Sequence, residues 1–269
     1  MKKKLIALPV AIALFFIVFL YAYKHFSQTS NPSQIQQDNY AVQLIWQCPG
    51  VMLLRKAIVP IADKIIHEEL GLDNTGIDKK ETLFLGKDRQ PLSLYYLLDM
   101  QELGEQTLII TYNKVVQSRT SVPQETSITD TIDFFGENHD ELVILVQDPA
   151  EELQQLNSIM KNMAHTADSI YKNTNKNPLF NITKSEQFNF VPHIGLGRIR
   201  SASIKRYSKD AGQTLERIKT RIKEATLAII HNSLTPENKK IFYTSLVICN
   251  LSKRENIIEY ALGDAQKNN

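Results

Sequence analysis

The chain has 269 residues, of which 43% are hydrophobic, and its formal net charge is +2 at pH 7. This length suits one large or bilobal domain, and the composition is that of a globular protein. A charge so close to zero argues neither for nor against nucleic acid as a partner. The two cysteines, Cys48 and Cys249, form no CxxC motif and no cluster with zinc spacing. We therefore predict no bound metal and no cofactor.

A charged head and a long apolar run open the chain. Lys2, Lys3 and Lys4 precede residues 5–23, which contain no charged side chain. A helix of this length just crosses the hydrocarbon layer of a bilayer, which is about 30 Å thick. Residues 1–23 are therefore predicted to be a transmembrane anchor, with a cleaved secretory signal as the alternative. The positive-inside rule keeps the N-terminus in the cytoplasm and exports the rest, to the periplasm or the cell exterior.

A linker, a strand and a helix follow. Residues 24–38 are polar and rich in Ser and Gln, which predicts a flexible tether. Apolar residues alternate with polar ones over residues 39–48, which indicates a strand. Residues 49–71 place apolar side chains at helical spacing: Leu54, Ile58, Ile61 and Ile65. Gly71 predicts the end of this helix, and Pro60 argues against an unbroken one.

The middle of the chain predicts several strands and then the longest helix. From Thr82 to Val146, apolar runs alternate with turn residues, and "TLIITYNKVVQ" is one of the predicted strands. Over residues 148–173, Asp148 is the predicted N-cap and Pro149 suits the first turn. The predicted buried stripe of this helix comprises Leu153, Leu156, Met160, Met163 and Ala167.

A strand over residues 190–199, a basic amphipathic helix around residues 214–230 and a last strand around residues 240–252 complete the pattern. Strands and helices do not alternate regularly along the chain. This order predicts an α+β fold, with helices packed on antiparallel sheets.

The stretch "FNFVPHIGLGRIR" carries the most specific chemistry. Pro192 forces the preceding residue into extended backbone, which indicates that His193 lies in a strand. Strict alternation along that strand puts Gly195 and Gly197 on the same face as His193. We expect this face to be open, so that a ligand or another backbone can approach it closely.

"FVPHIGLGRI" resembles the second signature of the 2H phosphoesterase superfamily, which includes the 2'-5' RNA ligase-like cyclic phosphodiesterases. That signature reads His, apolar, Thr or Ser, apolar, after Phe-x-Pro. Residues 132–160 and 241–263 are also similar to the segments that flank it in the family. The resemblance implies one domain over residues 39–263 and a disordered tail over 264–269. The implied fold is bilobal, with two antiparallel β-sheets facing a central cleft and helices on the outer faces.

The family uses two such signatures that face each other. One imidazole takes a proton from water and the other protonates the leaving oxygen, while the hydroxyls hold the phosphate oxygens. In "QPLSLYYLL" the hydroxyl position is Ser93, but the histidine position is Pro91. In the second signature the histidine is His193, but the hydroxyl position is Gly195. The first signature has thus lost its histidine, and the second has lost its hydroxyl residue.

The predicted site therefore comprises His193 as the catalytic residue, with Ser93 and Arg198 as phosphate-binding residues. Arg198 begins a basic run with Arg200, Lys205 and Arg206, which is alternatively a solvated surface. The apolar run predicts a membrane-anchored protein, and the resemblance with its two altered signatures implies a catalytically degenerate domain that binds a phosphorylated ligand such as a nucleotide or an RNA end. One alternative is an active 2',3'-cyclic phosphodiesterase that uses His193 with another acid. A second alternative is a structural surface protein.

The two cysteines allow one further hypothesis. Cys48 ends the first predicted strand and Cys249 lies in the last, and the resembled fold places both strands in one lobe. Export to an oxidising compartment would permit a disulfide between them. Two separate buried thiols are the alternative.

Overall fold

The structure is a computed structural model, and it describes residues 37–72, 81–87, 91–117, 125–136 and 138–262. The predicted anchor over residues 1–23 and the predicted tail over 264–269 lie outside these ranges. Within them, no helix combines the length and the apolar character needed to cross a bilayer. The first strand begins at Gln37, so the end of the predicted tether already belongs to the sheet.

In the described part of the chain, eight strands form one antiparallel sheet. They are β1 (Gln37–Gln47), β2 (Phe84–Gly86), β3 (Leu92–Gln101), β4 (Glu125–Phe135), β5 (Glu141–Val146), β6 (His193–Ile199), β7 (Lys240–Asn250) and β8 (Glu255–Ala261). The spatial order is β2-β6-β5-β4-β7-β1-β3, and β8 pairs with β7. The structure is thus α+β.

The prediction of two separate sheets is wrong, because β4 belongs to both halves of one sheet. Its first residues, 125–127, pair with β7, and from Ile128 onward it pairs with β5. The pairing with β5 is irregular between Ile128 and Ile132, directly after the point where the strand changes partners. Since a single strand carries both ladders, hydrogen bonding continues from one half of the sheet to the other.

Six helices accompany the sheet over the same ranges. They are α1 (Pro49–Glu69), α2 (Glu105–Gln117), α3 (Glu152–Asn175), α4 (Ile182–Ser185), α5 (Ser201–Tyr207) and α6 (Ala211–Ser233). α1 and α6 pack together on the half of the sheet that contains β2, β6 and β4, whereas α3 packs on α2 and β3. α1 follows β1 but packs on the opposite half, and α3 follows β5 but packs on the half containing β3. These two crossings connect the halves and bring β3 and β6 to the same cavity.

Periodicity predicts the long helices well. The stripe predicted for α3 is buried at every position, with Leu153 and Met160 fully so. α3 begins at Glu152, later than predicted, yet Asp148 still caps it. Each of its carboxylate oxygens accepts a backbone N–H, one from Leu153 and one from Gln154, both at 3.0 Å. Asp148 therefore supplies the acceptor that free N–H groups at a helix start require.

α1 differs from its prediction at two positions. It continues without a break through Pro60, which lies on the exposed side of the helix. Ile61 was predicted to be buried but is 38% exposed, whereas Leu54 and Ile58 are fully buried. The apolar stripe is therefore narrower than the sequence spacing suggested.

The segment predicted as the strand "TLIITYNKVVQ" is the helix α2 instead. Its buried residues are Leu108, Thr111 and Tyr112, a spacing of three and four residues that is typical of a helix face. The β-branched residues in this segment favour a strand. Packing of α2 against α3 outweighs that weak local preference.

The proposed disulfide is also wrong. Cys249 on β7 pairs with Ala41 on β1, and Ala41 lies seven residues before Cys48. At about 3.3 Å per residue the two cysteines are roughly 20 Å apart along the ladder, far beyond the reach of a disulfide. Both are free thiols, and the Cys48 Sγ contacts the carbonyl oxygen of Asn238 at 3.4 Å.

Candidate functional site

One cavity of about 540 Å³ lies between the two halves of the sheet, and both Ser93 and His193 line it. Ser93 comes from β3, at one edge of the spatial order, and His193 is the first residue of β6 in the other half. Aromatic residues also line this cavity, namely Tyr95, Tyr96, Phe135, Phe188 and Phe190. Two groups that are a hundred residues apart in sequence therefore face the same space.

His193 is held with a defined tautomer. Its Nδ1 lies 2.7 Å from the carbonyl oxygen of Val191. Because a carbonyl only accepts, Nδ1 carries the proton and Nε2 of the neutral ring is the proton acceptor. The Phe135 ring meets the imidazole edge-on, with the centroids 4.8 Å apart.

The protonation of His193 follows from its burial. Desolvation lowers the pKa of His193 below its usual 6.5, while the hydrogen bond to Val191 and the nearby Glu141 oppose this shift. Lys87 adds a smaller effect that lowers the pKa further. At neutral pH the ring is therefore uncharged and has the state required of a general base.

Ser93 belongs to a small hydrogen-bonded group on the opposite wall. Its Oγ accepts a hydrogen bond from Nε2 of Gln43, the neighbouring residue on β1, at 3.1 Å. The side chains of Ser93 and Tyr96 also hydrogen-bond to each other. Burial raises the pKa of Tyr96, which this hydrogen bond opposes and the charge of Glu141 reinforces. Tyr96 thus adds a neutral phenol to the cavity.

Glu141 is the buried charge of the site. It is only 9% exposed, it lines the cavity, and Lys87 Nζ lies 2.5 Å from its Oε1. The Arg198 guanidinium lies 3.5 Å from the other oxygen of Glu141 and 3.3 Å from Asp140. Asp140 is buried as well, so two cations, Lys87 and Arg198, compensate two buried carboxylates, as the low dielectric of the interior requires.

A β-bulge in β6 brings Arg198 to the cavity side. β5 and β6 pair as Val143 with Gly195 but as Leu142 with Gly197, so Leu196 is an extra residue in β6. An extra residue reverses the alternation of side chains beyond it. Arg198, opposite Glu141, consequently shares the face of His193.

The expected open face of His193, Gly195 and Gly197 is not present. After the bulge Gly197 faces the helices, where a Cβ would stand 2.3 Å from the ring of the fully buried Phe84. Gly195 remains on the cavity face but is buried. Close packing of Phe84 therefore explains the glycine at position 197, and no ligand is needed to account for it.

Arg55 of α1 holds the backbone of β6 beside the bulge. Its Nε and one terminal nitrogen donate to the carbonyl oxygen of Gly195, at 3.1 and 2.6 Å. The guanidinium also lies over the Trp46 ring, 5.4 Å from its centroid. β2 is too short to pair with this part of β6, so Arg55 supplies donors that a longer strand would otherwise provide.

The remaining predicted positions are less central. Pro91 immediately precedes β3 and is not among the described residues that line the cavity. Of the basic run, Arg200 and Arg206 lie 3.8 and 4.0 Å from Glu81, which is likewise outside that lining. These two arginines are 43% and 68% exposed, and their contacts are those of a solvated surface.

Sequence reasoning missed Tyr96, Glu141 and Lys87. Tyr96 lies three residues after Ser93, so an aromatic with a hydroxyl beside the first signature was an available signal. Glu141 begins the apolar strand "ELVILV", and a charge in such a run indicates burial with a partner. Lys87 carried no signal, because only the fold brings this residue, which follows β2, across β6 to Glu141 on β5. In the described ranges no three His, Cys, Asp or Glu side chains stand close enough to hold a metal ion.

No protein-family model and no curated protein matches the chain. Two solved structures of Usb1 from Kluyveromyces marxianus are similar in fold, one of them with uridine monophosphate. They are 11% and 13% identical to this chain and cover 84% of it and 99% of their own length, with TM-scores of 0.47 and 0.48. These values describe a partial likeness of the backbone. Any role for the cavity residues is therefore argued from their positions and contacts in this protein alone.

Proposed function

We propose that this protein is a 2H phosphoesterase-like protein that binds a phosphorylated ligand of the nucleotide or RNA-end class and hydrolyses cyclic phosphates weakly or not at all. One observation carries the proposal. Ser93 and His193, the two groups retained from the family signatures, line one cavity with several aromatic rings. Its volume of about 540 Å³ is in the range of small-ligand sites.

The aromatic wall suits a nucleobase. The rings of Tyr96 and Phe188 lie 5.4 Å apart, and Phe188 is 59% exposed. A base stacked on such a ring contributes about 1–3 kcal/mol, regardless of its identity. The phosphate then reaches Ser93 and His193, whose hydroxyl and imidazole are suitable hydrogen-bonding groups.

The low hydrolytic activity follows from the altered signatures. Ring opening needs a proton acceptor and a proton donor on opposite sides of the phosphate. His193 has the neutral state of an acceptor, but the position of the second imidazole is Pro91. Loss of one acid or base lowers a rate by about 10²- to 10⁴-fold.

Titration of the purified full chain with the four 2',3'-cyclic nucleotides tests this proposal. We expect saturable binding, weakened roughly 5- to 150-fold by Phe188→Ala because the stacking contribution is lost. Phe242→Ala is the matched control, since Phe242 is 45% exposed and does not line the cavity. An equal loss of affinity in the two variants, or no binding by the wild type, would contradict the proposal.

An active phosphodiesterase is the second candidate, and Tyr96 is the observation that favours it. Its hydroxyl shares the cavity with His193 and is hydrogen-bonded to Ser93, and in this candidate it is the proton donor. Robust turnover that both His193→Ala and Tyr96→Phe abolish would establish this candidate. If the protein is degenerate, we expect slow turnover to appear only in the double variant Pro91→His, Gly195→Thr, which restores both signatures.

We further propose that residues 5–23 anchor the chain with the N-terminus in the cytoplasm and the folded part exported. The lysines before the apolar run support this orientation. A reporter fused after Asn269 should be active only in the exported compartment. Activity in the cytoplasm would contradict the orientation, and a shortened, released chain would indicate signal cleavage instead.

A further inference from the structure

The folded part begins beside an exposed apolar helix face. Gln37, the first residue of β1, pairs with Gln101 at the end of β3. A short 3₁₀ turn over Glu102–Gly104 follows at once and leads into α2. Leu103 is 79% exposed, more than any other large apolar side chain in the described residues.

The exposure continues along α2. Leu103, Gln106, Ile110 and Lys114 are all exposed, three or four residues apart, and we call them the outer stripe of α2. Ile110 is 54% exposed, while Leu108 and Tyr112 on the other side of the helix are fully buried. The outer stripe thus combines two large apolar side chains with a cation at its end. Exposed apolar side chains beside a cation are suited to the boundary between head groups and acyl chains of a bilayer.

The sequence before Gln37 identifies the surface that this stripe can reach. The apolar run ends at Tyr23, and the 13 residues 24–36 connect it to β1. A chain of that length spans at most about 45 Å when fully extended. The outer stripe is therefore tethered within reach of the bilayer that holds the apolar run, and a weak contact becomes effectively intramolecular.

We propose that the outer stripe of α2 rests on the bilayer, with Leu103 and Ile110 in the interfacial layer and Lys114 at the lipid head groups. This inference rests on the membrane anchor proposed above. Asn39 and Ser252, at the same end of the sheet, line the cavity. Docking consequently holds the ligand site near the membrane surface.

A second apolar pair on the protein lacks these features and serves as a control. Met52 and Leu53 on α1 are 52% and 51% exposed. α1 follows the opposite end of β1, an 11-residue strand, so the pair lies away from the point where the tether enters. At about 3.3 Å per residue that strand is roughly 35 Å long. Exposure without proximity to the tether should give no membrane contact.

Photo-crosslinking of the full chain tests the proposal. A benzophenone amino acid replaces Leu103, Ile110 or Leu53 in turn, and each protein is reconstituted in vesicles of phosphatidylethanolamine and phosphatidylglycerol. We expect lipid adducts at positions 103 and 110 and several-fold fewer at position 53. Similar yields at all three positions, or no adducts at 103 and 110, would overturn the inference.

Flotation of the same vesicles after an alkaline wash separates the inference from the anchor on which it rests. A chain that floats but gives no adducts at 103 and 110 keeps its anchor and has no docked stripe. A chain that does not float has no anchor, and the docked stripe is then overturned as well. Nucleotide binding by the same sample reports the proposed cavity function independently of both.

Discussion

Protonation of His193 makes both ligand binding and protein stability depend on pH. Burial lowers its pKa below the usual 6.5, so the imidazole is neutral at pH 7. An anionic ligand favours the protonated ring, and its binding therefore strengthens as the pH falls toward the pKa of His193. Protein stability has the opposite sign. The unfolded chain binds this proton more readily than the folded protein, so the free energy of unfolding falls as the pH drops below about 6.5.

We expect the affinity for 2',3'-cyclic UMP to increase as the pH falls below about 6.5, because His193, whose pKa burial lowers from that usual value, then becomes protonated. A cyclic phosphodiester keeps a single negative charge throughout, so the change reports on the protein. Calorimetric titration of the wild type and of His193→Gln measures it. An equally steep pH dependence in the variant would assign the effect to another group.

Gly197 allows a test of the packing behind the site. A Cβ at this position would stand 2.3 Å from Phe84 and 2.9 Å from the carbonyl oxygen of Leu85. We expect Gly197→Ala to lower the free energy of unfolding by about 1–3 kcal/mol, as overpacking does. Urea denaturation measures the loss. Gly212→Ala is the control, because a Cβ there meets nothing within 4 Å, and equal effects of the two changes would contradict this explanation.

At the scale of elements, the contact between α1 and β6 supports the bulged strand. Arg55 is 5% exposed and donates two hydrogen bonds to the carbonyl oxygen of Gly195. The bulge at Leu196 lies one residue further on and places Arg198 on the same face of β6 as His193, although Arg198 is not among the described residues that line the cavity. A side chain on a helix thus stabilises the strand geometry on which the site depends.

We expect Arg55→Met to destabilise the protein by at least about 1–3 kcal/mol, because a buried carbonyl loses its donors. Ligand affinity should fall as well, since β6 carries His193. Arg217→Met is the matched control: Arg217 is 56% exposed and paired with Glu69, and a surface pair contributes about 0–1 kcal/mol. If urea denaturation gives the two variants the same free energy of unfolding, Arg55 does not support β6 as proposed.

At the scale of the whole molecule, β4 makes the two halves one sheet, and the crossings of α1 and α3 lock them together. The two walls of the cavity, which belong to different halves of the sheet, are therefore connected to each other by β4, α1 and α3. The first and last long strands, β1 and β7, are neighbours in the same ladder. Non-covalent pairing therefore brings the two ends of the folded chain together.

The register of β1 and β7 makes both cysteines free thiols, wherever the protein resides. We expect two alkyl groups per chain when the protein is alkylated in denaturant without reductant and weighed by mass spectrometry. In the native protein Cys48 should react more slowly than Cys249, because Cys48 is buried and Cys249 only partly so. A mass without added alkyl groups would show a disulfide and contradict the register.

Features that depend on local spacing could be predicted from the sequence. The buried stripe of α3 and the extended backbone at His193 follow from periodicity and from proline geometry, which act within a few residues. The same local reasoning failed for α2, where packing against α3 outweighs β propensity. It also failed at Ile61, because the width of a buried stripe depends on the neighbouring element.

The joining of the two halves of the sheet and the meeting of side chains in the cavity depend on contacts between distant parts of the chain. Continuity through β4 and the bulge at Leu196 depend on strand pairing between distant segments. One extra residue in a strand reverses every later side chain, so strict alternation misplaced Gly197. Glu141 and Lys87 meet for the same reason, because hydrogen bonding between strands far apart in sequence sets the register that brings them together.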